Sequence, residues 1–322
     1  MRKALLIGIN NYKNCPLKGC INDAIETSSL LERHSDGKKN FDVQLVRDIA
    51  TKGEVRSKIK ELFKGGNEIE LFYFSGHGYI NELGGYIVTP DYVQDDWGVS
   101  MNDIIYYANQ SNSKNKIIIL DCCHSGAIGN LVINDSISEI GNGVTILTAS
   151  RNTESAMEIN GHGVFTQLLI EALKGGAANL QGNITPGSIY AYIDQALGAW
   201  DTQRPLFKTN ISKFVSIRNV NPRILHNELK ILLECFSNEN EEFLLDPSFE
   251  FTNTLENTIE PIKPYAKVDN VKKFKLLQRL ESVDLVEPVG EEHMYFAAMK
   301  SKSCRLTPLG KYYWKLLKDE RI

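Results

Sequence analysis

At 322 residues the chain exceeds a typical single domain of roughly 100 to 200 residues, so two domains, or one large α/β domain with an appendage, are expected and a peptide-sized or disulfide-stapled scaffold is excluded. Hydrophobic residues at 42% and charged residues at 24% allow a sizeable core and argue against intrinsic disorder. A formal net charge of -4 carries none of the basic excess usual in nucleic-acid binders, although a local patch can hide inside that average.

Along the chain, strand and helix signals alternate through the first two thirds. An apolar strand from Lys3 to Asn10 precedes a helix starting near Gly19 with Ile21, Ala24, Ile25 and Leu30 as its apolar residues. Phe41 to Arg47 reads as the next strand, and Thr51 with Glu54 forms a capping box for a helix through Lys64 whose stripe is Val55, Ile59, Leu62 and Phe63. Ile69 to Phe74, Lys116 to Cys122 and Val144 to Thr148 are apolar runs of strand length, as a parallel sheet covered on both faces requires. Between them, Gly85 to Pro90 adds a small hairpin strand and Ser100 with Asp103 caps a helix. Val164 to Leu173 is another helix, Thr185 and Pro186 open a third to Leu197, and Lys213 to Ile217 closes the sheet. The expected architecture is a right-handed wound, mostly parallel six-stranded α/β sheet with helices on both faces.

After Asn221 and Pro222 the pattern changes, and residues 219–322 are expected to form a second, small α+β domain beyond a first domain of residues 1–218. A helix is expected over residues 222–236, a turn-rich stretch to Pro264, and a helix from Val268 to Ser282. Alternation at Met294, Phe296 and Ala298, a turn at Lys300 to Ser303, and a helix opened by Thr307 and Pro308 then suggest helix, hairpin, helix, the order of a winged helix. The charge is polarised: Lys and Arg outnumber acids twelve to six from Lys263 to Lys318, whereas Ile224 to Ile262 holds one Lys against nine acids. Cys15, Cys20, Cys122, Cys123, Cys235 and Cys304 show no metal-ligand spacing and are expected as reduced thiols. No apolar run reaches the 18 residues of a membrane helix and the opening reads as a strand, so the cytoplasm is the expected location.

Two strands end in reactive sequences, Leu71 to Gly78 (LFYFSGHG) and Ile119 to Gly126 (ILDCCHSG). Both are carboxyl ends, outside which open α/β sheets bind their substrates, so His77 and a cysteine after the later strand can face each other across a cleft. A thiolate attacks acyl carbons and an imidazole both promotes that form and protonates a leaving amine, which makes the pair sufficient for acyl transfer. Taken singly, a core cysteine and a structural strand-end histidine are the commoner readings; together the pair reverses that weighting. Period-2 alternation sets Asp121 and Cys123 on one side and Cys122 on the other, in the core. Cys20 and Asp23 lie three apart on one helical face, and Ser75 shares the phase of His77.

S-G-H-G over Ser75 to Gly78 followed by D-x-C-H-S-G over Asp121 to Gly126 resembles the metacaspase branch of the caspase-like cysteine peptidases. Gly19 to Ala24 resembles the metacaspase C-x-N-D-A segment and Gln203-Arg204-Pro205 its Q-x-P approach to the last strand, so the likeness spans roughly residues 1 to 218. The resemblance implies a caspase-like fold with Cys123 as nucleophile, His77 as acid/base partner and the N–H groups of Gly78 and Cys123 as oxyanion hole. His124 is expected to position the loop. Cys20, Asp23, Ser75 and Asp121 match positions that line the metacaspase S1 pocket, where two carboxylates favour Arg or Lys at P1. Helix capping is the plainer reading of Asp23. The chemistry requires no cofactor. Calcium is the family's usual activator; Asp91, Asp95, Asp96 and Asp103 are the acids to consider, but Asn102 stands where a paired acid is expected, and the metal question stays open.

These readings converge on a cytoplasmic cysteine endopeptidase acting on protein or peptide substrates with a basic P1, and the family resemblance implies a bacterial stress or defence programme. Its tail is expected to meet a regulatory protein partner, ahead of nucleic acid and with no membrane contact. Lys272, Lys273, Lys275 and Arg279 give a basic helix face that the acidic half offsets. The competing reading is an inactive caspase-fold scaffold whose winged-helix-like tail binds nucleic acid or a protein.

Overall fold

Alternation and capping make the first unit. β1 (Arg2–Gly8), α1 (Cys20–Glu32), β2 (Asp42–Arg47), α2 (Lys52–Leu62) and β3 (Ile69–Gly76) follow in chain order. Then come β4 (Gly78–Asn81), β5 (Gly84–Val93), β6 (Asp96–Ser100), α3 (Met101–Gln110), β7 (Asn115–Cys122) and β8 (Val144–Thr148). β9 (Glu158–Ile159), β10 (His162–Gly163), α4 (Val164–Glu171), β11 (Asn183–Ile184), α5 (Pro186–Leu197), β12 (Leu206–Asn210) and β13 (Arg218–Asn219) complete it. The computed structural model describes residues 1–82, 84–122, 140–149, 158–159, 162–198, 205–256 and 260–322, and the chain divides into two compact units, Met1–Asn221 and Pro222–Ile322. The first unit ends three residues later than expected because β13 pairs with β11.

The sheet has six strands in the order β12-β8-β7-β3-β1-β2, parallel except for β12, which runs antiparallel to β8. Its two faces follow strand phase. Leu5, Ile7, Phe72, Phe74, Ile118, Leu120 and Cys122 pack with Val55 and Ile59 of α2 and Ile104 and Ile105 of α3. Ala4, Leu6, Leu71, Tyr73, Ile117 and Ile119 pack with Ala24 and Leu31 of α1, Leu169 of α4 and Ile189 and Ile193 of α5. The Thr51 hydroxyl accepts the Glu54 N–H and donates to the Glu54 carboxylate, which therefore does not close a reciprocal box. Thr185 and Ser188 do close one at α5. β5 is longer than the expected hairpin strand and is the middle of a three-stranded antiparallel sheet with β4 and β6.

Two expectations are corrected here. In α1 the buried residues are Cys20, Asp23, Ala24, Thr27, Ser28 and Leu31, and Ile25 is exposed, because the face toward the sheet carries polar groups. Lys213 to Ile217 is not the closing strand: Leu206–Asn210 takes that edge, and Ile217 instead donates its N–H to Ile184 O while its side chain packs on the α5 side of the sheet.

The second unit holds α6 (His226–Leu229), α7 (Ile231–Cys235), β14 (Glu242–Leu244), a 3₁₀ turn at Pro247–Phe249, α8 (Val268–Glu281), β15 (Val286–Val289), α9 (Met294–Met299), β16 (Ser303–Leu306) and α10 (Pro308–Lys318). The expected helix over 222–236 is divided at Lys230. The alternation at Met294, Phe296 and Ala298 belongs to a helix: Met294, Ala297 and Ala298 are buried at helical spacing and Phe296 is exposed. The hairpin strands are β15 and β16, antiparallel, joined through that helix, with β14 on the other side of β16.

Candidate active site

β3 and β7 are adjacent and parallel, with Ser75 opposite Asp121 and Gly76 opposite Cys122. His77 follows the end of β3 at the carboxyl edge of the sheet, and Cys123 is the next residue in sequence after β7. Cys123 itself lies outside the described residues, as do His124, Gln203 and Arg204. Cys122 is buried among Phe72, Phe74 and Leu120 on the α2/α3 face, as its phase requires.

Three contacts hold His77. Its N–H donates to the Tyr12 hydroxyl at 3.1 Å, its carbonyl accepts the Val88 N–H at 2.9 Å, and the Tyr12 ring meets the imidazole edge-on at 4.6 Å between centroids. The Tyr12 hydroxyl donates in turn to Val88 O at 3.2 Å, and burial holds it far above the ordinary phenol range. Nε2 of His77 lies 2.7 Å from the carbonyl oxygen of Cys15. A carbonyl only accepts, so Nε2 carries the proton and Nδ1 is left as the basic nitrogen. Gly76 makes the Tyr12 contact possible: a Cβ there would lie 2.5 Å from the Tyr12 oxygen. The space beside Gly76 is therefore filled by Tyr12.

On the α1/α4 face, Asp23 and Asp121 form a buried pair of acids. Asp23, in the first turn of α1, accepts a hydrogen bond from the Ser75 hydroxyl at 3.0 Å, and Gly19, not Asp23, stands at the helix cap. Asp121 accepts from the Thr166 hydroxyl at 2.5 Å, and Thr166 shares a 2.7 Å hydrogen bond with the Tyr73 hydroxyl. Burial, then the neighbouring Asp23 carboxylate, pushes the Asp121 carboxyl up to about 7, although the Thr166 bonds pull it down. Both acids are nearly inaccessible, at 2% and 9% exposure, and Cys20 is buried in the same helical turn as Asp23. Gly8 lets that turn sit so close: a Cβ there would lie 2.4 Å from Cys20 O. Two adjacent buried acids do not both ionise cheaply, so Asp121 keeps its proton to higher pH, and a guanidinium or ammonium is the kind of group whose charge would complement the pair.

Cys15, Tyr12 and Thr166 are the participants that sequence reasoning missed. Cys15 acts through its carbonyl, which no side-chain motif reports, and Tyr12 and Thr166 look like core positions in the sequence.

The acids proposed for calcium are otherwise engaged. Asp91 accepts the Lys52 N–H at 3.0 and 3.1 Å, Asp96 pairs with Lys52 Nζ at 2.5 Å, and Asp103 pairs with Arg56 at 3.2 Å. Asp95 is an exposed turn residue with φ of 69°. Among the described residues no group of three or more His, Cys, Asp or Glu side chains is arranged to hold a metal ion, so this set does not fit a calcium shell.

Comparison with known proteins agrees with this architecture. No curated protein sequence matches the chain. Among solved structures, caspase-1 from Spodoptera frugiperda shares 14% identity at a TM-score of 0.50 over 68% of this chain and 90% of its own. A Geobacter sulfurreducens protein solved as a structural-genomics target shares 16% identity at a TM-score of 0.48 over 68% of this chain and 97% of its own. At these identities the likeness to caspase-1 shows the fold, a mostly parallel six-stranded sheet between helices. Residues 1–215 match the caspase domain, and the chain belongs to that family of cysteine peptidases, whose substrates are proteins.

Proposed function

We propose that the chain is a metacaspase-type cysteine endopeptidase that cleaves after Arg or Lys. The observation that carries this reading is the pair of buried acids, Asp23 and Asp121, on the same sheet end as His77. In the proposed reaction the Cys123 thiol loses its proton to Nδ1 of His77, and the thiolate attacks the scissile carbonyl. The Gly78 and Cys123 N–H groups receive the oxyanion, each such donor being worth about 3 kcal/mol. His77 then gives its proton to the leaving amine, and water hydrolyses the acyl-enzyme. Cys15 O keeps the imidazole in the tautomer that this sequence of transfers needs. Ser75 and Thr166 orient the acids, and Cys20 lines the same pocket. Calcium enters no step.

The second unit supports a protein-binding role in this reading. Part of its basic charge is matched within the unit: Arg279 pairs with Glu228, Lys315 with Glu239 at 2.7 Å and Arg305 with Glu287 at 2.7 Å, and Lys275 lies 5.3 Å over the Phe251 ring. A winged-helix-like module whose acidic first half offsets its basic second half suits a regulatory protein better than phosphate backbone. A cytoplasmic stress or defence role belongs to the same proposal.

Fluorogenic peptides with Arg, Lys or Asp at P1, assayed with calcium and with chelator, test the reading. Cleavage after Arg and Lys, lost in Cys123→Ala and His77→Ala, retained in large part by Cys122→Ala and unchanged by calcium, is expected. Cleavage after Asp, or activity in folded Cys123→Ala, would overturn it.

A further inference from the structure

Beside His77 lies a feature that the acidic pocket does not use. β4 begins at Gly78 and is an outer strand of the β4-β5-β6 sheet, so one of its hydrogen-bonding edges has no strand partner among the described residues. Val88 N–H bonds to His77 O, Gly78 stands opposite Ile87 and Tyr79 opposite Tyr86. Bonded and non-bonded pairs alternate in an antiparallel ladder, so the His77 carbonyl and Tyr79 bond toward β5 while the main-chain groups of Gly78, itself buried and the proposed oxyanion donor, and of half-buried Ile80 point away from it. An aromatic stack crosses the same sheet, with Tyr79 on β4, Tyr92 on β5 and Trp97 on β6. The Tyr79 ring lies 3.9 Å from that of Trp97 at an interplanar angle of 27°, and the Tyr92 ring lies 5.8 Å from Trp97 at 16°. All three side chains are only half-buried. Asn14, the neighbour of Cys15, donates to the Tyr92 hydroxyl at 3.3 Å, which ties the stack to the segment that holds His77.

We propose that the open edge of β4 and the Tyr79, Trp97 and Tyr92 stack bind the leaving-group side of the substrate as an added strand, selecting an aromatic or long aliphatic side chain there. The inference rests on the peptidase reading above. If His77 protonates the leaving amine, the leaving segment begins against His77, and β4 is the strand that departs from that residue. Two strand residues span about 6.8 Å, which brings Tyr79 within reach of the second residue after the scissile bond. Main-chain groups without a strand partner supply the pairing of strand addition, and the half-buried aromatic rings supply the selectivity.

The test uses internally quenched peptides with one Arg-bearing acyl half and either Phe or Ser as the second leaving-side residue. Cleavage is measured with the full chain and Trp97→Ala, and binding of the same peptides with full-length Cys123→Ala and its Trp97→Ala double variant. A preference for Phe of about tenfold in both kcat/KM and Kd is expected, shrinking below about twofold in the Trp97→Ala proteins and surviving in Trp97→Phe, which keeps a ring. Equal cleavage of the two peptides, or an unchanged preference in folded Trp97→Ala, overturns the subsite and leaves the peptidase reading intact. Selective binding without cleavage supports the subsite and overturns the peptidase reading; neither selective binding nor cleavage overturns both.

Discussion

The Asp121 carboxyl is held by the Thr166 hydroxyl and faces Asp23 with little access to water. Its pKa is raised from 3.8 to about 7, first by burial and then by Asp23. An acid whose folded pKa exceeds its unfolded one keeps its proton longer in the native state, so this group favours folding below about pH 4 and its contribution is lost as pH rises toward 7. One pKa unit corresponds to about 1.4 kcal/mol, so the pH-dependent loss is on the order of 4 kcal/mol. Urea unfolding of Asp121→Asn should therefore lack this fall and give a smaller difference between pH 4.5 and pH 8 than the parent chain. A parallel pH dependence in the two proteins would show that Asp121 is already ionised in the empty pocket. A cationic P1 favours the carboxylate, so KM for Arg peptides should decrease as pH rises to 7; a flat KM would count against Asp121 as the recognition group.

Among elements, β7 is anchored at its start by a buried charge. Lys116 is 4% exposed and donates to Ser113 O at 3.2 Å and Asn142 O at 2.7 Å, tying the turn after α3 to the turn before β8. Burial pulls its pKa down and Glu70, fully buried in β3, pulls it back up. Glu70 accepts from Asn67 Nδ2 at 2.8 Å and Ser111 Oγ at 2.7 Å. Glu70 stands opposite Lys116 in the ladder without an ion pair between them, so removing it withdraws a nearby counter-charge and strands two donors, at a cost of about 1 to 3 kcal/mol. Glu70→Ala is expected to lose that much in equilibrium unfolding, and Glu70→Ala with Lys116→Met to recover much of it. Equal losses in the two would mean that the charge of Lys116 is not the cause. The tie matters because the opposite end of β7 carries Asp121, opposite Ser75 of β3.

For the whole molecule, activation is the open question that the charge distribution addresses. Residues 124–144 contain no Lys or Arg, so an enzyme specific for basic P1 has no site there for cutting itself. Lys174, a basic residue beside two glycines, lies in a π-helical turn over Ala172–Gly176 and pairs with Glu26 at 2.7 Å, which withholds it from extended binding. Arg151 lies outside the described residues. Activation by binding, of a partner or a second copy, is the expected route. Intact-mass measurement of the active protein should return the full chain, and a cut after Asp135 would contradict both the single-chain form and the basic pocket.

Strand phase, the Thr51 and Thr185 caps, the helix opened by Thr307 and the placing of Cys122 in the core were all determined by sequence, because alternation and capping act over a few neighbouring residues. The motif residues Asp23, Ser75, His77 and Asp121 were legible for the same reason, as they end strands or open a helix. Tertiary structure alone decided what those residues touch. A backbone carbonyl at Cys15 reaches His77 across 62 residues, and Thr166 reaches Asp121 across 45. It also decided that Leu206–Asn210, not Lys213 to Ile217, takes the sheet edge, and that Lys52 and Arg56 occupy acids otherwise open to a metal. Those outcomes depend on which surfaces pack together, and a carbonyl or a distant counter-charge leaves no local pattern by which its partner can be found.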